Sequence, residues 1–327
     1  LLQGLLLYVA TATSEDGRRH LGRVREILVA SETEQKAVFQ KMAKSIHHII
    51  RSTGMRCLQK DEKLLSNVMA SAQAQTHFLD SDRLQQNLVN STFSFAELKS
   101  KPTTVYLVLP ADRLSTFGRW LRLLIQQSIT VNARNIKNTP EKPVLFILDE
   151  FAALGRLNMV EQAYGLMAGF GMQLWGIVQD LNQLERIYDK GWQSFISNAG
   201  VINYFGSSDK MTAEYFSSMC GETTVWNVSS ALSNAFGSNS GQNGGSTSTT
   251  ATNTDTRAAA QRKLIYPDEL MRLNKDKQIV FIENMSPLIA NKVSWRDDVK
   301  LRDLGVNLRI SKTVSEPISA DGTPLAQ

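Results

Sequence analysis

The stretch from Pro143 to Glu185, PVLFILDEFAALGRLNMVEQAYGLMAGFGMQLWGIVQDLNQLE, constrains the fold of this chain more than any other. It opens on an apolar run, Val144 to Leu148, with Pro143 before it and Asp149 and Glu150 after it. A run this short and wholly apolar predicts a central strand of a parallel sheet, buried on both faces. Ligands of open α/β sheets gather at the carboxyl ends of such strands, so the two carboxylates stand where chemistry is usually done. Two readings fit them. One is a strand closed by a solvated acidic turn. The other is a Walker B element, in which Asp149 holds Mg²⁺ and Glu150 orients and deprotonates an attacking water.

The residues that follow repeat the alternation. A helical segment runs from Asn158 to about Phe170, and a second apolar strand, Leu174 to Val178, ends in Gln179 and Asp180. A polar amide closing the strand beside a Walker B strand is the arrangement in which many P-loop ATPases sense the γ-phosphate. Upstream, Thr103 to Leu109 (TTVYLVL) is rich in β-branched residues and ends in Pro110, which predicts a buried strand. Leu114 to Ala133 is a long amphipathic helix. Downstream come a helix at Leu181 to Tyr188, a strand at Val201 to Phe205, a helix at Asp209 to Cys220, a short helix at Tyr266 to Leu273 and a strand at Gln278 to Glu283. Strand and helix in alternation predict an α/β fold with a doubly wound parallel sheet. Strand ends then line one edge, where Asp149, Glu150 and Gln179 fall together.

Residues 21–92 have a different character, helical in pattern and almost without proline or glycine. Val38, Met42, Ile46 and Ile49 or Ile50 form one stripe, with Gly54 as its stop, and Leu64, Leu65, Val68 and Met69 form another on a helix from Asp61 to Ala74. Met and Leu at this spacing belong to a core. An all-helical domain over residues 13–95 follows. Its middle is basic, with Lys36, Lys41, Lys44, Arg51, Arg56, Lys60 and Lys63; a solvated helix face and a contact to DNA or an acidic partner both account for that charge.

Residues 227–256 break the pattern. They are mostly Ser, Thr, Asn and Gly, with Asp255 as the one charge, and bury too little apolar surface to offset ordering; the composition predicts a flexible loop. Residues 316–327 read as a disordered tail.

The 327 residues suffice for two domains, and an apolar content of 42% is ordinary for a globular protein. The best apolar stretch, Leu1 to Ala10, is about half the roughly 18 residues that a membrane span needs. The two cysteines, Cys57 and Cys220, lack zinc or disulfide spacing, which favours a reducing compartment. The four histidines, His20, His47, His48 and His77, have no acidic or cysteine cluster for company, and the neighbours His47 and His48 point to different helix faces. A net charge of +5 permits a nucleic-acid partner without requiring one.

The string LDEFAALGRL, then AGFG, then IVQDLNQLERIY, at this order and spacing, resembles the type IV secretion coupling proteins, the conjugative DNA-transfer ATPases. The resemblance extends from LVLPADRL near Leu107 to LIYPDELMRL near Leu264, where Arg262 matches a family arginine. It implies a P-loop NTPase, RecA-like fold with an inserted all-helical domain. Residues 1–12 would end a first part of the nucleotide-binding domain, and residues 96–315 would form its second part. It implies ATP and Mg²⁺ as cofactors, with Asp149 on the metal, Glu150 on the hydrolytic water, Gln179 on the γ-phosphate and Arg156 at a subunit edge. A salt bridge from Arg156 to the adjacent helix is the other account of that residue. Some members carry an arginine before the Gln179 strand that could serve as a finger to the neighbouring subunit; here the position is Gln173.

The implied setting is a homo-hexamer at the cytoplasmic face of the bacterial inner membrane. Its partners would be single- or double-stranded DNA, relaxase, relaxosome or effector proteins, and the ATPases and inner-membrane components of the secretion channel. The chain holds no G-x-x-x-x-G-K-[ST] string and starts on Leu1. It is therefore expected to be the carboxy-terminal portion of a longer protein that carries the phosphate-binding loop and membrane anchor upstream, and to be inactive alone. Two other classes remain open: a non-catalytic substrate-docking module, and a doubly wound enzyme in which the Asp-Glu pair is incidental.

Overall fold

A computed structural model of the chain describes residues 1–239 and 246–305, and the expected tail at 316–327 lies outside them. The chain divides between Val178 and Gln179 into two compact units.

The first unit begins with helices α1 (Leu2–Thr11), α2 (Leu21–Val29), α3 (Glu32–Ala43), α4 (His48–Gln59), α5 (Glu62–Thr76) and α6 (Asp82–Val89). Their starts follow from capping chemistry. Ser31 and Glu34 form a capping box at α3, and Asp61 accepts the Leu64 N–H at α5. Leu28, Phe39, Met42 and Ile50 are fully or almost fully buried in one core, each contributing about 1.5–3 kcal/mol. Helix α1 adds Leu5, Tyr8 and Val9 to this same core, so residues 1–12, expected to end a nucleotide-binding part, pack with the helical bundle.

Two details of the expected stripe are corrected. The helix is interrupted between α3 and α4, which leaves Ile46 97% exposed. Gly54 lies inside α4 rather than ending a helix: a β-carbon there would sit 2.6 Å from the Ala43 nitrogen and 2.7 Å from the Phe39 carbonyl oxygen. Glycine is there because two helix backbones approach closely, not because the helix stops. Polar ties add to the core. Arg25, 8% exposed, forks onto both oxygens of Asp80 at 2.6 Å and reaches the Gln73 carbonyl at 2.7 Å and the Thr76 hydroxyl at 3.0 Å.

Helix α7 (Leu114–Arg134) follows, and Arg119 on it donates to the Ala74 carbonyl of α5 at 3.0 Å. Residues 103–109, expected as a buried strand, form none: Tyr106 and Val108 are 83% and 84% exposed. Their β-branched pattern suits a strand, but a strand also needs a neighbour to accept its backbone hydrogen bonds, and none pairs here.

Strands β1 (Val144–Leu148) and β2 (Met172–Gly176) pair in parallel, from Val144 opposite Met172 to Leu148 opposite Gly176, with helix α8 (Asn158–Leu166) between them in sequence. The expected second strand is shifted two residues back by this register. Leu148 is buried, whereas Leu145 and Ile147 are 50% and 58% exposed. The run was expected to be covered on both faces; a two-stranded sheet here covers one.

The second unit contains α9 (Leu181–Tyr188), α10 (Gln193–Ser197), β3 (Val201–Tyr204), α11 (Lys210–Cys220), β4 (Glu222–Asn239), β5 (Ser246–Lys263), α12 (Pro267–Met271), β6 (Lys277–Ile282), β7 (Leu288–Asn291) and α13 (Val299–Leu304). Strands β3, β6 and β7 form an antiparallel sheet in that order, so parallel pairing among the described strands is confined to β1 and β2. Tyr204, Phe216 and Phe281 stack in succession at 4.8 and 5.5 Å. Of the stretch read as a loop, residues 240–245 lie outside the described ones; over 227–239 and 246–256 the backbone pairs β4 with β5 as an antiparallel ribbon, Glu222 opposite Lys263 through Asn239 opposite Ser246. Threonine favours extended backbone, which the loop reading from low apolar content leaves out.

Candidate functional site

The acidic pair ends β1. The Ile177 N–H donates to the Leu148 carbonyl at 3.0 Å, and the Phe151 N–H donates to the Ile177 carbonyl at 3.1 Å. The parallel ladder thus continues past the acidic turn, which bulges out between those two bonds. Phe151 is buried and anchors the far side. Asp149 and Glu150 are both exposed, and Asp149 Oδ1 accepts the Glu150 N–H at 3.0 Å.

Glu150 has φ +47° and ψ +40°, the left-handed conformation that a non-glycine residue seldom adopts. Such backbone persists where surrounding structure over-determines it, and it clusters at functional sites. The over-determining contacts are visible. The Ala153 N–H closes a tight turn onto the Glu150 carbonyl at 2.8 Å, opening a 3₁₀ turn over Phe151–Leu154. At the other end of that turn Gly155 takes φ +70°. The guanidinium of Arg122, from α7, donates to the Leu154 carbonyl at 2.5 Å and to the Arg156 carbonyl at 2.9 Å.

Arg156 itself reaches Glu161 of α8 at 3.5 Å while remaining half exposed. The salt bridge to the adjacent helix is therefore present. Behind the turn, Gly176 closes β2 against Tyr164, whose hydroxyl fills the place of a β-carbon.

Gln179 is the first residue of the second unit, three residues past the end of β2. Its side-chain oxygen accepts from Gln183 Nε2 at 3.1 Å, and Asp180 caps α9 by accepting the Gln183 N–H at 2.9 Å. Nearby, Asp209 accepts the Thr212 N–H at 2.8 Å, the Thr212 hydroxyl at 2.6 Å and Asn182 Nδ2 at 2.6 Å. The bonds from Thr212 hold the Asp209 carboxyl below the usual carboxylate range. This triplet joins the starts of α9 and α11, so the amide of Gln179 sits on a braced helix end.

The structure thus brings Asp149, Glu150 and Arg156 onto one braced turn of the first unit, with Gln179 in the second. Two adjacent carboxylates with no cationic partner among the described residues repel each other, and a divalent cation relieves that repulsion. No cluster of three or more metal-ligating side chains occurs among the described residues. The donor set therefore suits Mg²⁺, which takes one or two carboxylates and fills its remaining positions with water and phosphate oxygens. Sequence reasoning missed Arg122 altogether. Its only trace is an arginine on an otherwise regular helix, and what it grips depends on tertiary packing.

Over residues 2–317 the chain matches the family described as type IV secretory system conjugative DNA transfer. Protein VirD4 of Agrobacterium fabrum is 32% identical over 247 residues, which is 72% of this chain and 35% of that protein; the chain spans about a third of its length. Among solved structures, the plasmid coupling protein TrwB in complex with the non-hydrolysable ATP analogue ADPNP aligns with a TM-score of 0.58 at 17% identity, over 89% of this chain and 61% of that one. TrwB in complex with ADP and Mg²⁺ aligns with a TM-score of 0.57 at 18% identity, over 89% and 60%. At such identity the likeness speaks for the fold alone, the mixed α/β fold that this chain shares with TrwB.

Proposed function

This chain belongs to the type IV secretory system conjugative DNA transfer family, and on that premise we propose that it supplies the metal and water side of a coupling ATPase. That ATPase would drive DNA, protein or both into a secretion channel, as a homo-hexamer at the cytoplasmic face of the bacterial inner membrane. Relaxase or effector proteins and the channel's own ATPases and inner-membrane components would be its partners. The observation that carries the reading is Glu150, held in a left-handed conformation at the carboxyl end of a parallel strand, directly after Asp149.

Asp149 would coordinate Mg²⁺, directly or through its waters. The ion's contribution when bound is to neutralise charge on the phosphate oxygens. Glu150, projecting from the bulged turn, would accept a proton from the attacking water and fix its line of approach. Gln179 would sense the γ-phosphate by hydrogen bonding. Arg156, half exposed beyond its bond to Glu161, would reach a neighbouring subunit. Walker A is not among these 327 residues, so the chain by itself is expected to be inactive.

The test is Mg²⁺-dependent ATP hydrolysis by the intact protein. Glu150→Gln is expected to lower the rate by about 10²- to 10⁴-fold while nucleotide binding is kept. A wild-type rate in that variant would refute the reading and leave the docking module as the alternative.

A further inference from the structure

Glu150 is not held in its left-handed conformation by its own side chain. The segment from Asp149 to Arg156 is pinned at two places. At its start the pin is the β-ladder, through the Phe151 N–H and the Ile177 carbonyl. At its end the pin is Arg122, whose two outer nitrogens take the carbonyls on either side of Gly155. A β-carbon on Gly155 would lie 3.2 Å from one of those nitrogens, so the small residue and the arginine fit each other. Between the pins two bonds close the turn: the Ala153 N–H to the Glu150 carbonyl at 2.8 Å and the Gly155 N–H to the Ala152 carbonyl at 3.1 Å.

The choice of arginine has a physical reason. Two carbonyls separated by one residue, and tilted by the positive φ at Gly155, suit a planar fork with donors on two diverging nitrogens. A lysine ammonium is a point donor and cannot span them. Among the described residues no carboxylate makes an ion pair with Arg122, so its partial burial is offset by these two charge-assisted bonds. A helix surface would be as well served by a lysine or a glutamine. The turn would not.

We propose that Arg122 is a positioning residue for hydrolysis: by clamping the carbonyls of Leu154 and Arg156 it sets the 3₁₀ turn that keeps Glu150 left-handed and its carboxylate aimed at the water. This rests on the reading of Glu150 as the hydrolytic base. Misplacing a reacting group by about 1 Å costs about 10²-fold, so loosening the clamp is felt in kcat without loss of any group that touches nucleotide.

The experiment is a double-mutant cycle on the intact protein, with Arg122→Ala and Arg122→Lys each made alone and together with Glu150→Gln. Single-turnover ATP hydrolysis and binding of a fluorescent ATP analogue are the two readouts. Alone, both Arg122 substitutions are expected to lower the hydrolysis rate about 10- to 100-fold and leave analogue affinity unchanged. Added to Glu150→Gln they are expected to do nothing more, because the group they position is already gone. If they lower the rate by the same factor in both backgrounds, or leave it unchanged alone, the proposal is overturned. Should Arg122→Ala fail to bind analogue, the milder Arg122→Lys carries the cycle, since it keeps charge and bulk and lacks only the fork. A wild-type rate in Glu150→Gln alone would remove the base reading itself, an outcome separate from additivity.

Discussion

The hydroxyl of Tyr164 occupies the space that a β-carbon on Gly176 would need, and Phe151 stands 3.7 Å from the same point. Strand β2 can therefore end where it does only because its last residue has no side chain. Gly176→Ala is expected to push Tyr164 or the strand end aside and to destabilise the protein by about 1–3 kcal/mol, read from chemical denaturation midpoints. An unchanged midpoint would mean that Tyr164 swings away freely.

Asp149 and Glu150 are expected to differ in what they lose. On the proposed roles, Asp149→Asn in the intact protein would remove a contact made to bound Mg²⁺-nucleotide in its ground state and so weaken its binding. Glu150→Gln would remove a function realised on the way to the transition state, lowering hydrolysis while sparing binding. Equal effects on binding would show that the two roles are misassigned.

Glu150→Gly is expected to give a different pairing of effects. On the proposed role it would lower hydrolysis by the intact protein, yet it relieves a left-handed conformation that is unfavourable by roughly 1–2 kcal/mol for a residue with a β-carbon. Part of that is returned as greater flexibility of the unfolded chain. Thermal unfolding should therefore show a midpoint equal to or above that of wild type. A clear drop would mean that the Glu150 side chain contributes to stability.

Gly54→Ala sets two effects against each other. Alanine is favoured over glycine inside a helix by about 0.8–1.0 kcal/mol. Its methyl would lie 2.6 Å and 2.7 Å from backbone atoms of α3, which cannot rotate away as a side chain can. The clash is expected to win, leaving the variant less stable by about 1–2 kcal/mol in urea.

Asp80 predicts a pH dependence. Its carboxyl is held below the ordinary range, chiefly by the hydrogen bond from Arg25, which outweighs the opposing effect of desolvation, with the charges of Arg25 and His77 adding to the lowering. A carboxyl lowered in the folded state contributes stability that is complete above its unfolded value of about 3.9 and is lost as pH falls through the folded value. Stability measured in urea should fall below about pH 4, and Asp80→Asn should flatten that acid limb while lowering the neutral plateau. An unaltered acid limb would place the titration elsewhere.

The parts legible in the sequence are those set by local chemistry. Val144 to Leu148 is a strand with the bounds its neighbours suggest, and α9 spans Leu181–Tyr188 as its pattern and the cap Asp180 require. The segment 103–109 looks equally strand-like and is not one, because pairing depends on a partner that local pattern does not reveal. In the sequence Gly54 reads as punctuation, whereas its meaning lies in another helix. The acidic pair was visible as Asp149 and Glu150, but the left-handed backbone of Glu150 and the fork of Arg122 arise from contacts across 32 residues of sequence.

Arg119 and Arg122 lie one turn apart on α7, and a helix is stiff over that distance. One grips the Ala74 carbonyl of the helical bundle and the other grips the turn after the acidic pair. The same short helix thus ties the bundle to the acidic turn through two side chains. A displacement of α5 would therefore bear on the turn that carries Glu150 through one helix and the hydrogen bonds of two arginines.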